Sequence, residues 1–102
     1  MEIKDIEVRQ GKIDVSGEIV SKEEPREFDK FGNKIRVCNC DFKDDSGNIK
    51  LTLWNDEVEK VNVGDIVKIT NGYCNEYQGE KQLTAGKFGQ LEIVKAEEVK
   101  ND

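Results

Sequence analysis

DDSGNIKLTLWND, residues 44–56, contains a turn, a strand and the start of a helix in immediate succession. Residues 44–48 combine acids with serine, glycine and asparagine, which is the composition of a tight hairpin turn. Isoleucine and leucine then alternate with polar residues over 49–53, so we expect a strand with one buried face. Asn55 can cap a short helix over residues 56–61, whose first turn carries the acids that the helix dipole favours. The segment therefore predicts a hairpin strand that leads directly into a helix.

Outward from this segment, turn signals recur about every ten residues and separate further short strands. The predicted strands are Ile13–Ile19, Ile35–Lys43, Ile49–Trp54, Ile66–Tyr73, and a fifth that consists of Lys81–Ala85 and Leu91–Val94 and is broken at Gly86–Gly89. Three strands, a short helix and two more strands are the element order of the OB-fold, a partly open Greek-key barrel. The helical content is too low for a fold built on a parallel sheet. We therefore predict an all-β fold, a five-stranded OB-fold Greek-key barrel with a short helix between strands 3 and 4.

The parts between these strands have a polar composition without a regular apolar period. We expect an extended arm at Met1–Lys12, a charged loop at Ser21–Lys34, a polar loop at Asn75–Gly79 and a fraying tail at Ala96–Asp102. Within the first strand, Gly17 indicates a bulge or a bend. The apolar residues of the second strand change sides between Val37 and Cys38. This change requires either a bulge or a strand that is buried on both faces.

The charge of the chain is unevenly distributed. A length of 102 residues predicts one domain, 1–102, which could equally be one domain of a longer multi-OB protein. The net charge of −6 argues against nucleic acid as a partner, because phosphate binding requires a basic surface. However, residues 1–25 hold 7 acids and 4 bases, whereas residues 26–54 hold 5 acids and 6 bases. The segment that would bind is thus slightly positive.

Several classes of function lack the residues that they require. Without histidine there is no Ser-His or Cys-His pair, and Gly86–Gly89 follows a strand without opening a helix, unlike a phosphate-binding loop. We therefore predict no enzyme activity, no catalytic residue and no cofactor. The cysteines 38, 40 and 74 are expected to be small reduced core residues, with a disulfide or a metal site as the alternative. No apolar run could span a membrane and no secretory signal is visible, so we expect a cytoplasmic, nucleoid-associated protein.

Aromatic residues beside basic ones are the candidates for binding. If residues 49, 51 and 53 point inward, Trp54 points outward with Lys50 and Thr52, and its ring can stack on a base. The alternative is that Trp54 ends the strand and folds over the helix. Tyr73 and Tyr77 stand in a polar stretch that offers little core, although either ring could pack across the mouth of the barrel.

The first long connection holds a second aromatic group. Phe28 and Phe31 lie there among four basic residues, Arg26, Lys30, Lys34 and Arg36. Each phenylalanine is suited to stacking, and each is equally suited to closing the end of the barrel. The remaining candidates are Lys50, Lys68 and Lys87. Lys50 is favoured because its position in the strand places it on the same side as Trp54.

The order of the motifs resembles a known family. The segments at Asp44–Trp54, Val63–Tyr73 and Leu83–Gly89 are similar to the single-stranded DNA-binding OB domains of archaeal replication protein A and the related simple SSB proteins. The resemblance covers roughly residues 3–95 and implies that Trp54, Tyr73 and Tyr77 stack bases. Thr84 stands where related proteins often have another aromatic residue. Lys87 replaces a common arginine, and Phe88, between two glycines, is a candidate to compensate.

Three hypotheses follow. The first is binding of single-stranded DNA with little sequence preference in replication, recombination or repair, with the backbone along Arg36, Lys50 and Lys68. Further OB domains or other replication or repair proteins would then be partners, and no membrane is involved. The second is an acidic OB-fold protein-interaction module within a replication complex, which an acidic surface suits. The third is an RNA-binding OB domain, which stacking alone does not distinguish from a DNA-binding one.

Overall fold

The computed structural model describes residues 1–95 of the chain, so the predicted tail Ala96–Asp102 lies outside the described residues. A short 3-10 helix at Ile3–Asp5 precedes the strands. The remaining elements are β1 (Ile13–Lys22), β2 (Arg26–Lys30), β3 (Asn33–Asp44), β4 (Gly47–Trp54), α1 (Asp56–Lys60), β5 (Ile66–Tyr77), β6 (Glu80–Thr84) and β7 (Gln90–Lys95).

Five of the strands close into a barrel. They neighbour one another in the order β1, β3, β4, β6, β5, and pairing of β5 with β1 completes the circle. The β4–β6 pair is parallel, whereas the other pairs are antiparallel. Helix α1 connects the third and fourth barrel strands, β4 and β5. The predicted five-stranded OB-fold barrel is confirmed, with β2 added beside β3 and β7 added beside β5.

The inward faces of the strands form one apolar core, as their alternation predicts. Its largest fully buried side chains include Phe42, Leu51, Leu53 and Ile69. The pairing of β3 with β4 is continuous, so the change of apolar phase in β3 involves no bulge. Instead Val37 points to the opposite side from the core and is still only 7% exposed. The outward side of β3 is therefore covered at Val37, while Asn39 and Asp41 on the same side stay partly exposed, so neither option holds along the whole strand.

The two predicted loops are β-hairpins, and the loop predictions were wrong. Strand β2 pairs with β3 around Phe31 and Gly32, whose φ angles of 52° and 80° are those of a type I′ turn. Strand β5 continues through Tyr77 and turns at Gln78 and Gly79, with φ angles of 51° and 83°. Both hairpins are held by main-chain hydrogen bonds between their two strands. They therefore form although their sequences do not alternate between apolar and polar residues.

The predicted fifth strand is two strands. Strand β6 pairs with β4 and β5, whereas β7 pairs with β5 in the described part of the chain. The register irregularity of β1 against β3 falls between Ile19 and Ser21 rather than at Gly17. All three cysteines are buried free thiols, and burial raises the pKa of Cys40 to about 12. Within residues 1–95, no helix has the length and apolar character needed to cross a membrane.

The N-terminal segment packs against the barrel and is not an extended arm. Ile3 and Ile6 are 4% and 0% exposed, because both side chains enter the core. The Ile3 main-chain N–H donates to Asp44 Oδ2 at 2.9 Å, and Lys81 Nζ donates to the Ile6 carbonyl oxygen at 2.6 Å. The polar composition of this segment concealed the two isoleucines that anchor it.

Candidate nucleic-acid interface

One outer surface of the barrel runs without interruption across five strands. Residues directly opposite each other in a sheet project to the same side, and side chains two apart along a strand share that side. The register sets Val37 opposite Trp54, Asn39 opposite Thr52, and Tyr73 opposite Thr84. We call this surface the outer face; it is formed by the outward residues of β2, β3, β4, β6 and the second half of β5.

Three partly supported aromatic side chains lie on the outer face, and Tyr77 shares their side at the end of β5. Trp54 is 39% exposed, Tyr73 39% and Phe28 43%, so each ring is partly supported and partly accessible. Trp54 and Tyr73 lie on strands β4 and β5, which are separated by β6, and Trp54 is two residues further along the sheet than Tyr73. The two side chains are therefore attached about 12 Å apart. Thr52 and Thr84 lie between them, and neither is bulky enough to cover a ring. The face therefore offers separated aromatic platforms on a rigid sheet.

Trp54 also borders a cleft beside the helix. The cleft has a volume of about 460 Å³, and its walls are Ile35, Trp54, Asn55, Asp56, Glu57, Gly86 and Lys87. The Trp54 main-chain N–H donates to Glu57 Oε1 at 3.0 Å, which ties the end of β4 to the first turn of α1. Burial raises the pKa of the Glu57 carboxyl, and this hydrogen bond opposes the increase. The indole thus adjoins the helix without being buried by it.

A second cleft continues from the first along the connection between β6 and β7. Its volume is about 430 Å³, and its walls include Lys12, Tyr73, Thr84 and Phe88. Gly86 and Lys87 line both clefts, so Lys87 lies between the Trp54 side and the Tyr73 side. An ammonium group between two aromatic platforms is suited to a phosphate that links two stacked bases.

The other predicted aromatic residues are more exposed. Phe31 is 92% exposed at the tip of the β2–β3 hairpin, with Lys30 Nζ 6.0 Å from its ring centroid. Tyr77 is 56% exposed at the end of β5, and Phe88 is 83% exposed in the β6–β7 connection. Phe31 and Phe88 lie outside the strands and Tyr77 lies at the end of one, so these side chains have little support from the fold and do not form the centre of the outer face.

Strand β2 separates its charges by alternation. Arg26, Phe28 and Lys30 share the side of Val37 and Ile35, which is the outer face. Glu27 and Asp29 project to the other side, opposite Arg36 and Lys34. None of the ion pairs among residues 1–95 involves Arg26, Lys30 or Lys87. From the sequence, Arg26 and Lys30 were noted only as neighbours of the phenylalanines. The alternation of basic and acidic residues in REFDK, residues 26–30, is the pattern that places these two cations on the opposite side from Glu27 and Asp29.

Lys50 lies on the outer face but is held by two carboxylates. Its Nζ is 3.1 Å from Glu23 Oε2 and 3.0 Å from Asp41 Oδ1. The hydrogen bonds from Lys50 to Asp41 and Glu23 raise the pKa of the ammonium, so it stays charged. Hydrogen bonds from Ser21 and Lys50 lower the pKa of Asp41. Sequence reasoning missed Glu23 and Asp41, since neither ion pair follows from strand phase.

Arg36 and Lys68 lie away from the outer face. Arg36 projects to the same side as Glu27, and its guanidinium contacts Glu59 at 2.8 Å and Glu27 at 3.6 Å. The hydrogen bond to Glu59 raises the pKa of Arg36. Lys68 belongs to the half of β5 that pairs with β1 and β7, opposite Ser16 and Glu92. The structure thus places Trp54, Tyr73, Phe28 and Lys50 on the outer face with Lys87 beside it, and separates Arg36 and Lys68 from them.

Comparison with known proteins agrees with this geometry. A family model described as an OB-fold nucleic acid binding domain matches residues 13–93. The chain belongs to this family. It is related to Replication factor A of Methanothermobacter thermautotrophicus, with 33% identity over 87 residues, and to the single-stranded DNA binding protein Ssb of Saccharolobus solfataricus, with 27% identity over 74 residues. These alignments cover 84% and 72% of the chain but only 11% and 50% of the two relatives.

Solved structures of OB domains share the fold. An OB domain from Thermoplasma acidophilum superposes with a TM-score of 0.79 at 20% identity, over 100% of this chain and 92% of that one. The second OB-fold domain of replication protein A from Methanococcus maripaludis gives a TM-score of 0.76 at 23% identity, over 97% and 98%. The chain is thus an OB-fold nucleic-acid-binding domain related to replication factor A and SSB proteins.

Proposed function

We propose that this domain binds single-stranded DNA with little sequence preference, as part of replication, recombination or repair. The observation that carries the proposal is the alignment of Trp54, Tyr73 and Phe28 on one outer face with basic side chains at its margins. Stacking of bases on aromatic rings contributes on the order of 1–3 kcal/mol per base and tolerates any sequence, because every base has a π-face. The proposal is one of binding rather than catalysis.

The proposed contacts divide into two kinds. Trp54, Tyr73 and Phe28 stack bases, with Tyr77, Phe31 and Phe88 as additional, more exposed partners. Lys87, Arg26 and Lys30 contact phosphates, and Lys50 can do so when its carboxylate partners release it. Arg36 and Lys68 remain predicted phosphate contacts, and the proposal does not depend on them.

A fluorescence titration tests the proposal. Trp54 is the only tryptophan, so its emission reports one place on the outer face. We expect oligo(dT) to quench this emission at low salt and to do so less strongly at high salt, because binding releases counterions. Absence of quenching at low salt, even at high micromolar oligonucleotide, would exclude the proposed function.

A variant separates stacking from folding. We expect Trp54→Ala to weaken binding of fluorescein-labelled oligo(dT) by about 5- to 150-fold, which corresponds to the loss of one stacked base. Anisotropy of the labelled DNA measures this, since the variant has no tryptophan. Val63→Ala is the control, because Val63 is 49% exposed in the turn before β5 and outside the outer face. Equal affinity of the two variants would mean that Trp54 does not stack.

A second candidate function is an acidic protein-interaction module of a replication complex. The observations that favour it are the net charge of −6 and the carboxylates that hold Lys50 and Arg36. Such a module would bind a basic protein partner and would bind DNA weakly at all salt concentrations. The oligo(dT) titration therefore distinguishes the two functions. Since one OB domain covers only about 4–16 nucleotides, further OB domains are the partners that tight DNA binding would require.

A further inference from the structure

We propose that Glu23 and Asp41 compete with DNA phosphate for Lys50. They thereby limit the electrostatic part of DNA binding at the end of the outer face near the β3–β4 turn. The inference rests on the proposed function and concerns one cluster, the Lys50 cluster, which consists of Glu23, Asp41 and Lys50. It assigns to two acidic residues the role of setting how strongly affinity depends on salt.

The geometry of the Lys50 cluster supports a competition. Lys50 Nζ contacts both carboxylates at 3.0–3.1 Å, and an ammonium has only three donors. Two carboxylates around one ammonium leave a local charge of −1, which repels an approaching phosphate. The Lys50 side chain is 26% exposed, whereas Glu23 is 54% and Asp41 42% exposed. The acids therefore stand further into solvent than the cation that they neutralise.

The cluster is held by the fold and is not a chance meeting of mobile side chains. Asp41 and Lys50 are directly opposite each other in the β3–β4 pair. Ser21 Oγ donates to Asp41 Oδ2 at 2.5 Å, which orients that carboxylate. The Glu23 main-chain N–H donates to the Asn39 carbonyl oxygen at 2.9 Å, so Glu23 is fixed beside β3. The Asp41 carboxylate is thus oriented, and the Glu23 main chain is anchored, beside the ammonium before any ligand arrives.

The lysines of the cleft beside the Lys50 cluster also have contacts within the chain. A cleft of about 330 Å³ adjoins the cluster, and its lining includes Lys4, Lys50 and Lys81. Lys4 Nζ lies 3.9 Å from Glu2 Oε1, and Lys81 Nζ donates to the Ile6 carbonyl oxygen at 2.6 Å. Lys81 is therefore engaged within the chain, whereas Lys4, whose side chain is 60% exposed, has only a long surface ion pair that contributes little. At the opposite end of the face, Arg26, Lys30 and Lys87 take part in none of the ion pairs of the described residues, and the same is true of Lys43, two residues from Asp41 on β3.

The salt dependence of affinity tests the inference. For a single strand, each phosphate contact adds about 0.7 to the slope of log K against log salt. We expect Glu23→Gln/Asp41→Asn to bind oligo(dT) more tightly at low salt and to steepen this slope by about 0.7, because Lys50 becomes free for one phosphate. Addition of Lys50→Met to the double variant should remove the gain. Labelled-DNA anisotropy over a range of salt concentrations gives the slope for each protein.

A matched control removes the same charge elsewhere. Glu7→Gln/Glu18→Gln removes two exposed acids that take part in none of the ion pairs of the described residues and lie outside the strands of the outer face. If the control steepens the slope as much as the test variant, the effect is one of net charge and the inference is overturned. An unchanged slope in the test variant also overturns it, with Glu23→Gln alone as the substitute should the double variant unfold. Failure of the wild type to bind oligo(dT) would instead overturn the proposed function, and this inference with it.

Discussion

At position 89, the backbone atoms packed around the residue leave no space for a side chain, so only glycine fits. It ends the β6–β7 connection, where carbonyl oxygens of Thr70, Asn71 and Ala85 converge. A Cβ atom at this position would lie 2.7 Å from the Asn71 oxygen and 2.9 Å from the Thr70 oxygen, closer than carbon and oxygen approach. The close packing of Gly89 fixes the connection that carries Lys87 and Phe88 to the barrel, so a requirement of packing also positions two candidate binding residues.

A stability measurement checks this requirement. We expect Gly89→Ala to lower the free energy of unfolding by about 1–3 kcal/mol, the usual cost of forcing extra atoms into a packed site. Gly47→Ala is the matched control, since nothing lies within 4 Å of a Cβ atom there. Its effect should stay within about 0.5 kcal/mol. Urea unfolding followed by Trp54 fluorescence measures both; equal stability of the two variants would contradict the steric argument.

At the scale of elements, strand alternation determines which charges reach the outer face. The β2–β3 hairpin exposes Arg26 and Lys30 beside Phe28 on one side, and Glu27 and Asp29 on the other. A chain with a net negative charge can in this way present a locally basic and aromatic ribbon. The net charge of the chain therefore says little about the charge of the surface that a nucleic acid would meet.

Two lysines of the hairpin provide a test of this separation. We expect Lys30→Gln to reduce the slope of log K against log salt for oligo(dT) by about 0.7, because Lys30 projects to the outer face and loses one phosphate contact. Lys34→Gln removes an equal charge four residues away, but Lys34 lies opposite Asp29 on the other side of the ribbon. It should leave the slope unchanged. A similar loss in both variants would show that the charge of the hairpin acts without regard to its face.

The barrel could be predicted from the sequence because its strands bury one face each. The alternation at Ile49, Leu51 and Leu53 predicts the inward side of β4, and the register confirms that Trp54 and Lys50 are on the other side. The hairpins of residues 26–35 and 73–84 could not be predicted in the same way. Their strands are exposed over most of their length, so pairing with a neighbour, rather than an apolar pattern, holds them.

The candidate site was predictable in its aromatic part and not in its ionic part. Whether Trp54 faces outward depends on neighbours in the sequence, which alternation reveals. Whether Lys50 is accessible depends on Glu23, 27 residues earlier in the chain. Such a pair forms only because β1, β3 and β4 are brought together by the barrel. The count of charges along the sequence therefore gave no indication of which cations are already engaged in ion pairs.

At the scale of the whole molecule, the N-terminal segment completes the core. Ile3 and Ile6 belong to the same buried cluster as the barrel strands. The segment is tied to the Asp44 carboxylate at the β3–β4 turn and, by main-chain hydrogen bonds, to β5. Arg9 N–H donates to the Cys74 carbonyl oxygen at 2.7 Å, and Cys74 N–H donates to the Gln10 carbonyl oxygen at 2.9 Å. The barrel and its N-terminal segment should consequently unfold as one cooperative unit.

Truncation of one isoleucine tests this cooperativity. We expect Ile6→Ala to lower the free energy of unfolding by about 2–5 kcal/mol, because a fully buried side chain is removed and a cavity remains. Val20→Ala, at a residue that is 46% exposed on β1, should cost less than about 1 kcal/mol. Urea unfolding followed by both fluorescence and circular dichroism should give coincident transitions for each protein. An Ile6→Ala variant as stable as Val20→Ala would mean that the segment lies on the barrel without supporting it. An arm that detaches separately would instead leave the fluorescence transition unchanged, since Trp54 reports the far end of β4.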